Sequence, residues 1–412
     1  MKRPIAIDLF SGCGGMSLGL EAAGFDIAAS VEIDPIHALV HHVNFPYGVT
    51  ICQDINQLDT KELIAQMKKK GFQGDVDLIA GGPPCQGFSH MGKRQLDDPR
   101  NSLVFQYVRI INDIQPKYFL FENVPGIASG QHKKFLDELM EEFKKIGYAI
   151  AHPIKILDAS LFGAPQKRKR LIIIGSRKDV IPAHYPQETH NEIEQNFNTV
   201  GAAISDLANI PAFVRKDKGI DANSLDYSGF RTSFDLEPSG EYALCYKRQT
   251  DGKVWGHIGS EHTAKSTRRF SETEAGTVEK TSRLFKLADS GLCNTLRAGT
   301  ASNKGAYTAP RPIHYSKPRC ITVREAARLH TFPDWFQFHR TIWHGFREIG
   351  NAVIPMLAKS LGEEIIDCLK LEISGLEIDY KLLSYNMGQA SDYWQVPDNV
   401  IPKRKKVSKD VA

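Results

Sequence analysis

The sequence predicts an α/β fold: a parallel sheet flanked by helices, joined to a second, smaller and loop-rich domain. Three observations lead there. Short apolar runs alternate with amphipathic stretches through residues 1–176, the pattern of β-α-β units. The first apolar run opens directly into a Gly-rich turn. From about Arg177 to Arg319 the texture becomes polar, turn-rich and irregular, and regular periodicity returns only at Thr322.

Taken in order, Ile5 to Phe10 reads as a strand, the glycines after it as a turn, and Met16 to Ala23 as a helix. Phe25 to Val31 is the second strand and ends at Glu32. Val76 to Ala80 and Tyr118 to Phe121 are further strands. Between them, Leu103, Tyr107, Ile110, Ile111 and Ile114 recur at helical spacing and stop before Pro116. Phe135 to Ile146 repeats that spacing. Leu171 to Gly175 is a strand entered from the basic run Lys167-Arg168-Lys169-Arg170. Thr322 and Glu325 stand at capping-box spacing at the head of a helix that Pro333 ends. Met356 to Leu369 is a last, apolar-striped helix. The boundaries expected are 1–176, 177–319 as the second domain, 320–375 returning to the first, and 376–412 as an extension with the basic tail Lys403-Arg404-Lys405-Lys406.

The bulk properties constrain the class. A chain of 412 residues buries a large core, and its 42% hydrophobic and 24% charged content is ordinary for a globular protein. A formal charge of +4 permits a polyanionic partner without demanding one. Seven cysteines, odd in number and never in a C-x-x-C pair, suggest neither a disulfide frame nor a zinc site. No metal is expected. Asp8 interrupts the N-terminal run before it reaches signal-peptide length, and no run is long enough to span a bilayer.

Two segments carry the chemistry. Gly81-Gly82-Pro83-Pro84-Cys85-Gln86-Gly87-Phe88-Ser89 puts a cysteine on a Pro-Pro turn straight after an apolar run. Free cysteines are usually buried and inert, but Pro-Pro is a poor choice inside a central strand and holds this thiol at the sheet rim. Phe121-Glu122-Asn123-Val124 puts a carboxylate at the end of another run, either as a cap or as a proton donor. Residues just beyond the carboxyl ends of strands line the ligand crevice of an open α/β sheet, so thiol and acid are expected to converge there. Phe10-Ser11-Gly12-Cys13-Gly14-Gly15 is a nucleotide-type turn, although Ser17 stands where a dinucleotide fingerprint has its third glycine. Glu32 is either a ribose acceptor or a surface acid. Arg168 and Arg170, two apart at the entry to a strand, are expected on one face, suited to phosphate or a base oxygen.

Together these segments resemble the DNA cytosine-5 methyltransferase family, of the bacterial restriction-modification type. The resemblance rests on Asp8 to Gly15, Glu32, Asp54, Gly82-Pro83-Pro84-Cys85-Gln86 and Glu122-Asn123-Val124. It continues through Gln166-x-Arg168-x-Arg170, Arg324-Glu325-Ala326-Ala327-Arg328-Leu329 and Gly350-Asn351-Ala352-Val353, in the family's order over about residues 5 to 360. It implies a Rossmann-like sheet that binds S-adenosylmethionine and a target-recognition domain in the variable middle. The last helix would return beside the N-terminal strands. Cys85 would be the nucleophile, with Glu122, Arg168 and Arg170 as its catalytic partners. Phe10, Gly12, Gly14, Gly15, Glu32, Ile33, Asp54, Pro84, Leu103, Asn351 and Val353 would lie at or near the cofactor. Gln86, Ser89, Gln166, Thr295 and Arg297 would meet DNA, with Arg311 a further guess. Two departures from the family pattern are Ile354 before Pro355, and Ile33 where some relatives have an aromatic residue.

The chemistry the resemblance implies is addition of the Cys85 thiolate to C6 of a flipped-out cytosine, activating C5 for methylation. The expected partner is double-stranded DNA, with a restriction endonuclease paired in function but not in stable contact, and no membrane. Because the first motif begins almost at residue 1, a compact, monomeric cytoplasmic enzyme associated with the nucleoid through DNA is expected. The alternatives are an enzyme acting on RNA cytosine, a relative that only binds nucleic acid, and a nicotinamide-dependent dehydrogenase suggested by the Gly-rich turn alone.

Overall fold

The computed structural model describes residues 3–84, 102–128, 130, 132–191, 193, 196–214, 216–225, 252–299 and 311–370. In chain order the first part forms β1 (Ile5–Leu9), α1 (Gly15–Ala23), β2 (Asp26–Glu32), α2 (Pro35–Asn44), β3 (Val49–Cys52), α3 (Thr60–Lys69) and β4 (Leu78–Gly81). It continues with α4 (Ser102–Ile114), β5 (Tyr118–Asn123), α5 (His132–Lys145), β6 (Tyr148–Ile150), β7 (Lys155–Asp158) and β8 (Lys169–Arg177).

These strands make one sheet in the order β3-β2-β1-β4-β5-β8-β6, with β7 also on β8. β1 to β5 are parallel, as expected, because helices carry the chain back between them. The far end departs from the expectation: β8 runs antiparallel to β5, β6 and β7. No helix of crossover length lies between β7 and β8, only the turn Ala159–Phe162, and a strand reached by so short a link must reverse. β8 also begins inside the basic run, two residues before the apolar segment that announced it.

Both faces of the sheet are buried, and period-two alternation assigns side chains to each. Ala6, Leu78, Leu120 and Ile172 face one core with α1 beneath them. Ile7, Ile79, Phe119 and Ile173 face the other with α4 and α5. Tyr107 of α4 is fully buried, and its hydroxyl donates to the carbonyls of Ile79 and Leu120, which ties α4 to two strands at once.

The remaining elements are α6 (Val200–Ile204), a two-stranded ladder of β9 (Ile220–Asp221) with β10 (Lys253–Val254), α7 (Ala264–Glu272), α8 (Val323–Leu329), α9 (Ile342–Asn351) and α10 (Pro355–Leu369). Thr322 and Glu325 do form the expected capping box on α8. α10 returns against α1, and small residues make that approach possible. A Cβ on Gly19 would sit 2.3 Å from the Pro355 carbonyl, and one on Gly362 would sit 2.7 Å from Ala23 Cβ. Past residue 177 the chain continues to pack against the sheet. Ala183, Tyr185, Val200, Ile204, Leu287 and Leu296 belong to the same buried cluster as the sheet. Among the described residues, two small satellites, around Leu207, Ile220, Leu225 and Val254 and around Phe270 and Ile313, belong to the middle region itself. Among the described residues no helix is long and apolar enough to cross a membrane.

Candidate active site

The strand order reverses direction between β1 and β4, so their carboxyl ends open the crevice in which α/β sheets bind ligands. Phe10 and Gly12 follow β1, and Gly82, Pro83 and Pro84 follow β4. Glu32 ends β2, Asp54 lies just past β3, Leu103 opens α4, and Glu122 stands near the end of β5. One sheet edge therefore collects most of the residues that the sequence singled out.

The Gly-rich turn is shaped from below. Phe10 holds a left-handed backbone at φ 58°, rare for an aromatic residue, and, half-buried, it packs against the cluster that contains Ile7 and Ile79. Gly12 has φ 54° and open space around its Cα, and its N–H donates to Glu32 Oε2 at 2.8 Å. Glu32 Oε1 accepts from Asp34 N at 2.8 Å, so the carboxylate is fixed on both oxygens by backbone. Gly14 and Gly15 serve packing instead. A Cβ on Gly14 would lie 2.5 Å from the Phe45 ring, and one on Gly15 would lie 2.3 Å from the Val353 carbonyl. Through Gly15, the turn touches the segment that carries Asn351, which is exposed at the end of α9. Ile33 is 47% exposed, an apolar surface beside Glu32. Asp54 caps the turn Ile55–Gln57 through Asn56 N.

Sequence reasoning gave no role to Asp8, yet it anchors this turn. Fully buried, its Oδ2 accepts from Ser17 N at 3.1 Å and Ser17 Oγ at 2.6 Å. Ser17 Oγ lies 2.9 Å from His41 Nε2, and His41 Nδ1 lies 3.1 Å from Ser30 Oγ. Burial pushes the Asp8 carboxyl up to about 7 against the pull of the Ser17 hydrogen bonds. Burial also drives His41 down to about 3, with His42 adding to the effect. The signal available was an acid inside an otherwise apolar strand.

On the other side of the crevice, Glu122 Oε1 pairs with Arg170 Nε at 2.6 Å, both side chains largely shielded. The antiparallel register makes this possible, because Glu122 stands opposite Ile172 and the start of β8 reaches the same edge. A Cβ on Gly82 would lie 2.6 Å from Glu122 Oε2, so the carboxylate lies directly over that glycine. Asn123, buried, donates to the Pro83 carbonyl at 3.0 Å and accepts from Val124 N at 2.9 Å. It fixes the chain two residues before Cys85, a role the sequence did not reveal although the residue stood in view beside the acid.

Cys85, Gln86 and Ser89 lie outside the described residues. The five described cysteines all have thiols pushed up by burial: Cys52 to about 12, Cys320 to about 11, and Cys13, Cys293 and Cys368 upward as well. Such thiols are poor nucleophiles.

Two expectations need correction. Arg168 offers no guanidinium to a phosphate or base. It is 2% exposed, with Nη1 on the Leu296 carbonyl and Nη2 on those of Gly350 and Ala352. Gln166 does not face DNA either. It is fully buried, accepting from Leu296 N and donating to the Leu329 carbonyl. Both residues precede β8, where the chain passes under the middle region rather than along the open edge. Thr295 bonds the Lys167 carbonyl through Oγ1, and Arg297 is exposed. Arg311 stacks over the Phe346 ring and donates to Ser260 Oγ.

Known proteins resemble this chain along nearly its whole length. Residues 5–367 match the model of the C-5 cytosine-specific DNA methylase family. The chain is 44% identical to the Type II methyltransferase M.XorII of Xanthomonas oryzae pv. oryzae, over 98% of this chain and 96% of that protein. It is 31% identical to the Type II methyltransferase M1.HphI of Haemophilus parahaemolyticus, over 87% and 86% of the two chains. A solved structure described as a DNA modification methyltransferase encoded within an E. coli prophage superposes with a TM-score of 0.74 at 32% identity, over 89% of this chain and 100% of that one. The Dnmt2 methyltransferase of S. pombe, 17% identical with a TM-score of 0.57, shares the fold over 90% of this chain and 100% of its own. With residues 5–367 matching one family model and a relative 44% identical over 98% of its length, this chain belongs to the C-5 cytosine-specific DNA methylases.

Proposed function

We propose that the chain transfers a methyl group from S-adenosylmethionine to C5 of a cytosine within a specific duplex DNA sequence, by way of a covalent bond between Cys85 and C6. The observation that carries this reading is the Glu122–Arg170 pair, held over Gly82 at the rim where the Pro83-Pro84-Cys85 segment begins. The crevice residues suit the methyl donor. Gly12 leaves room for close approach, the anchored Glu32 carboxylate keeps lone pairs for ribose hydroxyls, and Ile33 offers an apolar surface. When bound, the donor supplies an electrophilic methyl group.

The residues then divide the work. The target base must leave the stack, at a cost of about a few kcal/mol that pocket contacts offset. The Cys85 thiolate adds to C6, which breaks the ring's conjugation and makes C5 nucleophilic. Glu122 meets N3 as negative charge builds on the ring, and Arg170 stabilises the neighbouring O2. After methylation the C5 proton departs to a base, the C6–S bond breaks, and the thiolate is regenerated. Thr295 and Arg297 belong to the surface that meets DNA. Arg168 and Gln166 have no direct part in the chemistry.

The chain is read as a cytoplasmic monomer acting on DNA. Its relatives' names as Type II methyltransferases support a protective role against an endonuclease that cuts the same sequence. The test begins with bisulfite sequencing of DNA from an expressing host, which locates the methylated cytosine. A duplex carrying 5-fluorocytosine at that position should, with methyl donor present, give a denaturation-resistant adduct with the wild type and none with Cys85→Ser. Methylation by the wild type without an adduct, or methyl transfer by Cys85→Ser, refutes covalent catalysis. Equal turnover on tRNA refutes the DNA assignment.

A further inference from the structure

The segment that carries Thr295 and Arg297 is stitched to the catalytic region on both sides. Along one edge, Cys293 N donates to the Pro165 carbonyl at 2.8 Å and Lys167 N donates to the Cys293 carbonyl at 2.9 Å. Gln166 Oε1 accepts from Leu296 N at 3.1 Å. Along the other, a Cβ on Gly350 would sit 2.3 Å from Ala298 N and 2.5 Å from the Arg297 carbonyl carbon, so this backbone rests on Gly350 itself.

Arg168 stands between the two. Its Nη1 donates to Leu296 O at 2.8 Å, the carbonyl between Thr295 and Arg297. Its Nη2 donates to Gly350 O at 2.8 Å and Ala352 O at 3.0 Å, the carbonyls on either side of Asn351. One rigid, planar group therefore spans the backbone bearing the DNA-facing residues and the backbone bearing a cofactor-facing residue. Neither backbone can shift alone without leaving a buried, charged N–H unmet, and that is costly.

We propose that Arg168 is a positioning residue that couples the two binding sites. Through it, occupancy of the methyl-donor crevice sets the placement of the 293–298 segment, and duplex binding acts back on the crevice. The proposal rests on the function proposed above.

The experiment measures the dissociation constant of the full-length protein for a short duplex carrying the mapped site, with and without saturating S-adenosylhomocysteine. In the wild type the ratio of the two constants should depart from one by about fivefold or more, the usual range of site coupling. Arg168→Met removes every donor and should bring the ratio to about one. Arg168→Lys keeps the charge but places one nitrogen where the guanidinium has two, and should fall between. If Arg168→Met does not fold, Gly350→Ala takes its place: it wedges the 297–298 backbone away from the Asn351 turn and should also shrink the ratio.

A merely structural arginine predicts a lower melting temperature and a smaller active fraction with an unchanged ratio, and that outcome overturns the proposal. So does a ratio of one in the wild type. A wild type that methylates duplex DNA with no coupling sinks this inference alone, whereas one that transfers no methyl group to duplex DNA sinks the functional reading beneath it.

Discussion

Gly82→Ala should separate catalysis from stability at a single position. The new methyl carbon would stand 2.6 Å from Glu122 Oε2, while the backbone carbonyl of Glu122 is 3.5 Å away and tolerates it. Relief must come from the carboxylate, which has to withdraw by about 0.5–1 Å to restore an ordinary contact. Glu122 cannot do so without disturbing its 2.6 Å pair with Arg170. Misplacing a catalytic group by this distance costs on the order of 10–100-fold in turnover. Because the obstacle is the end of a side chain, the stability cost should stay near about 1 kcal/mol, the low end for overpacking. Gly81→Ala is the counterpart. Its Cβ meets the Leu9 carbonyl at 2.7 Å and the Tyr107 ring at 2.9 Å, atoms that cannot swing aside. It should lose about 1–3 kcal/mol of stability, while the folded fraction keeps its turnover. Tritiated methyl transfer into mapped duplex, with urea denaturation of both variants, decides the matter. Wild-type turnover in Gly82→Ala would show that the position of Glu122 does not matter to the chemistry.

Further expectations follow from the same geometry. Glu122→Gln removes the group proposed to meet cytosine N3 and the charge partner of Arg170, and should slow single-turnover transfer by about 10²–10⁴-fold. It should leave S-adenosylhomocysteine affinity nearly intact by calorimetry, and unchanged turnover contradicts the assignment. Asp8 has a folded pKa raised to about 7 from 3.8, so the native state holds a proton that the unfolded chain has already released. Its contribution to stability is therefore complete below the unfolded value and is lost as pH rises to about 7. Asp8→Asn keeps an acceptor for Ser17 and removes that loss. The variant should gain on the wild type by about 2 kcal/mol between pH 5 and 7 in urea denaturation. A pH-independent difference rejects the buried, protonated acid. Arg328 lies buried between Asp206 and Asp334. Arg328→Met removes the ion-pair partner of Asp206 and one of those of Asp334, which keeps Arg324 at 4.0 Å; it should cost about 3–5 kcal/mol, and a loss under about 1 kcal/mol in the same titration would mean that Asp206 finds another partner.

Much of this site was legible in the linear sequence because its parts obey local rules. A Gly-rich turn after a strand, a proline pair that cannot continue one, and an acid at the end of an apolar run each reflect the backbone of a few residues. The antiparallel β8 was not legible, because strand direction depends on how the chain returns and not on the strand's own composition. Arg168 shows the limit most clearly. Alternation at a strand entrance gave it the same outlook as Arg170, two residues on. The fold covers one with Leu296, Gly350 and Ala352 and leaves the other beside Glu122.

Taken by itself, then, the order of residues determined the βα alternation, the rim positions of Glu32, Pro84 and Glu122, and the family to which their combination belongs. Only the tertiary structure decided which polar groups stay open to a ligand. Asp8, Gln166 and Arg168 are spent holding backbone, because residues up to 184 positions away in sequence close over Arg168. A side chain's freedom to act is a property of what packs against it, and distant packing leaves no mark on the nearest neighbours in the chain.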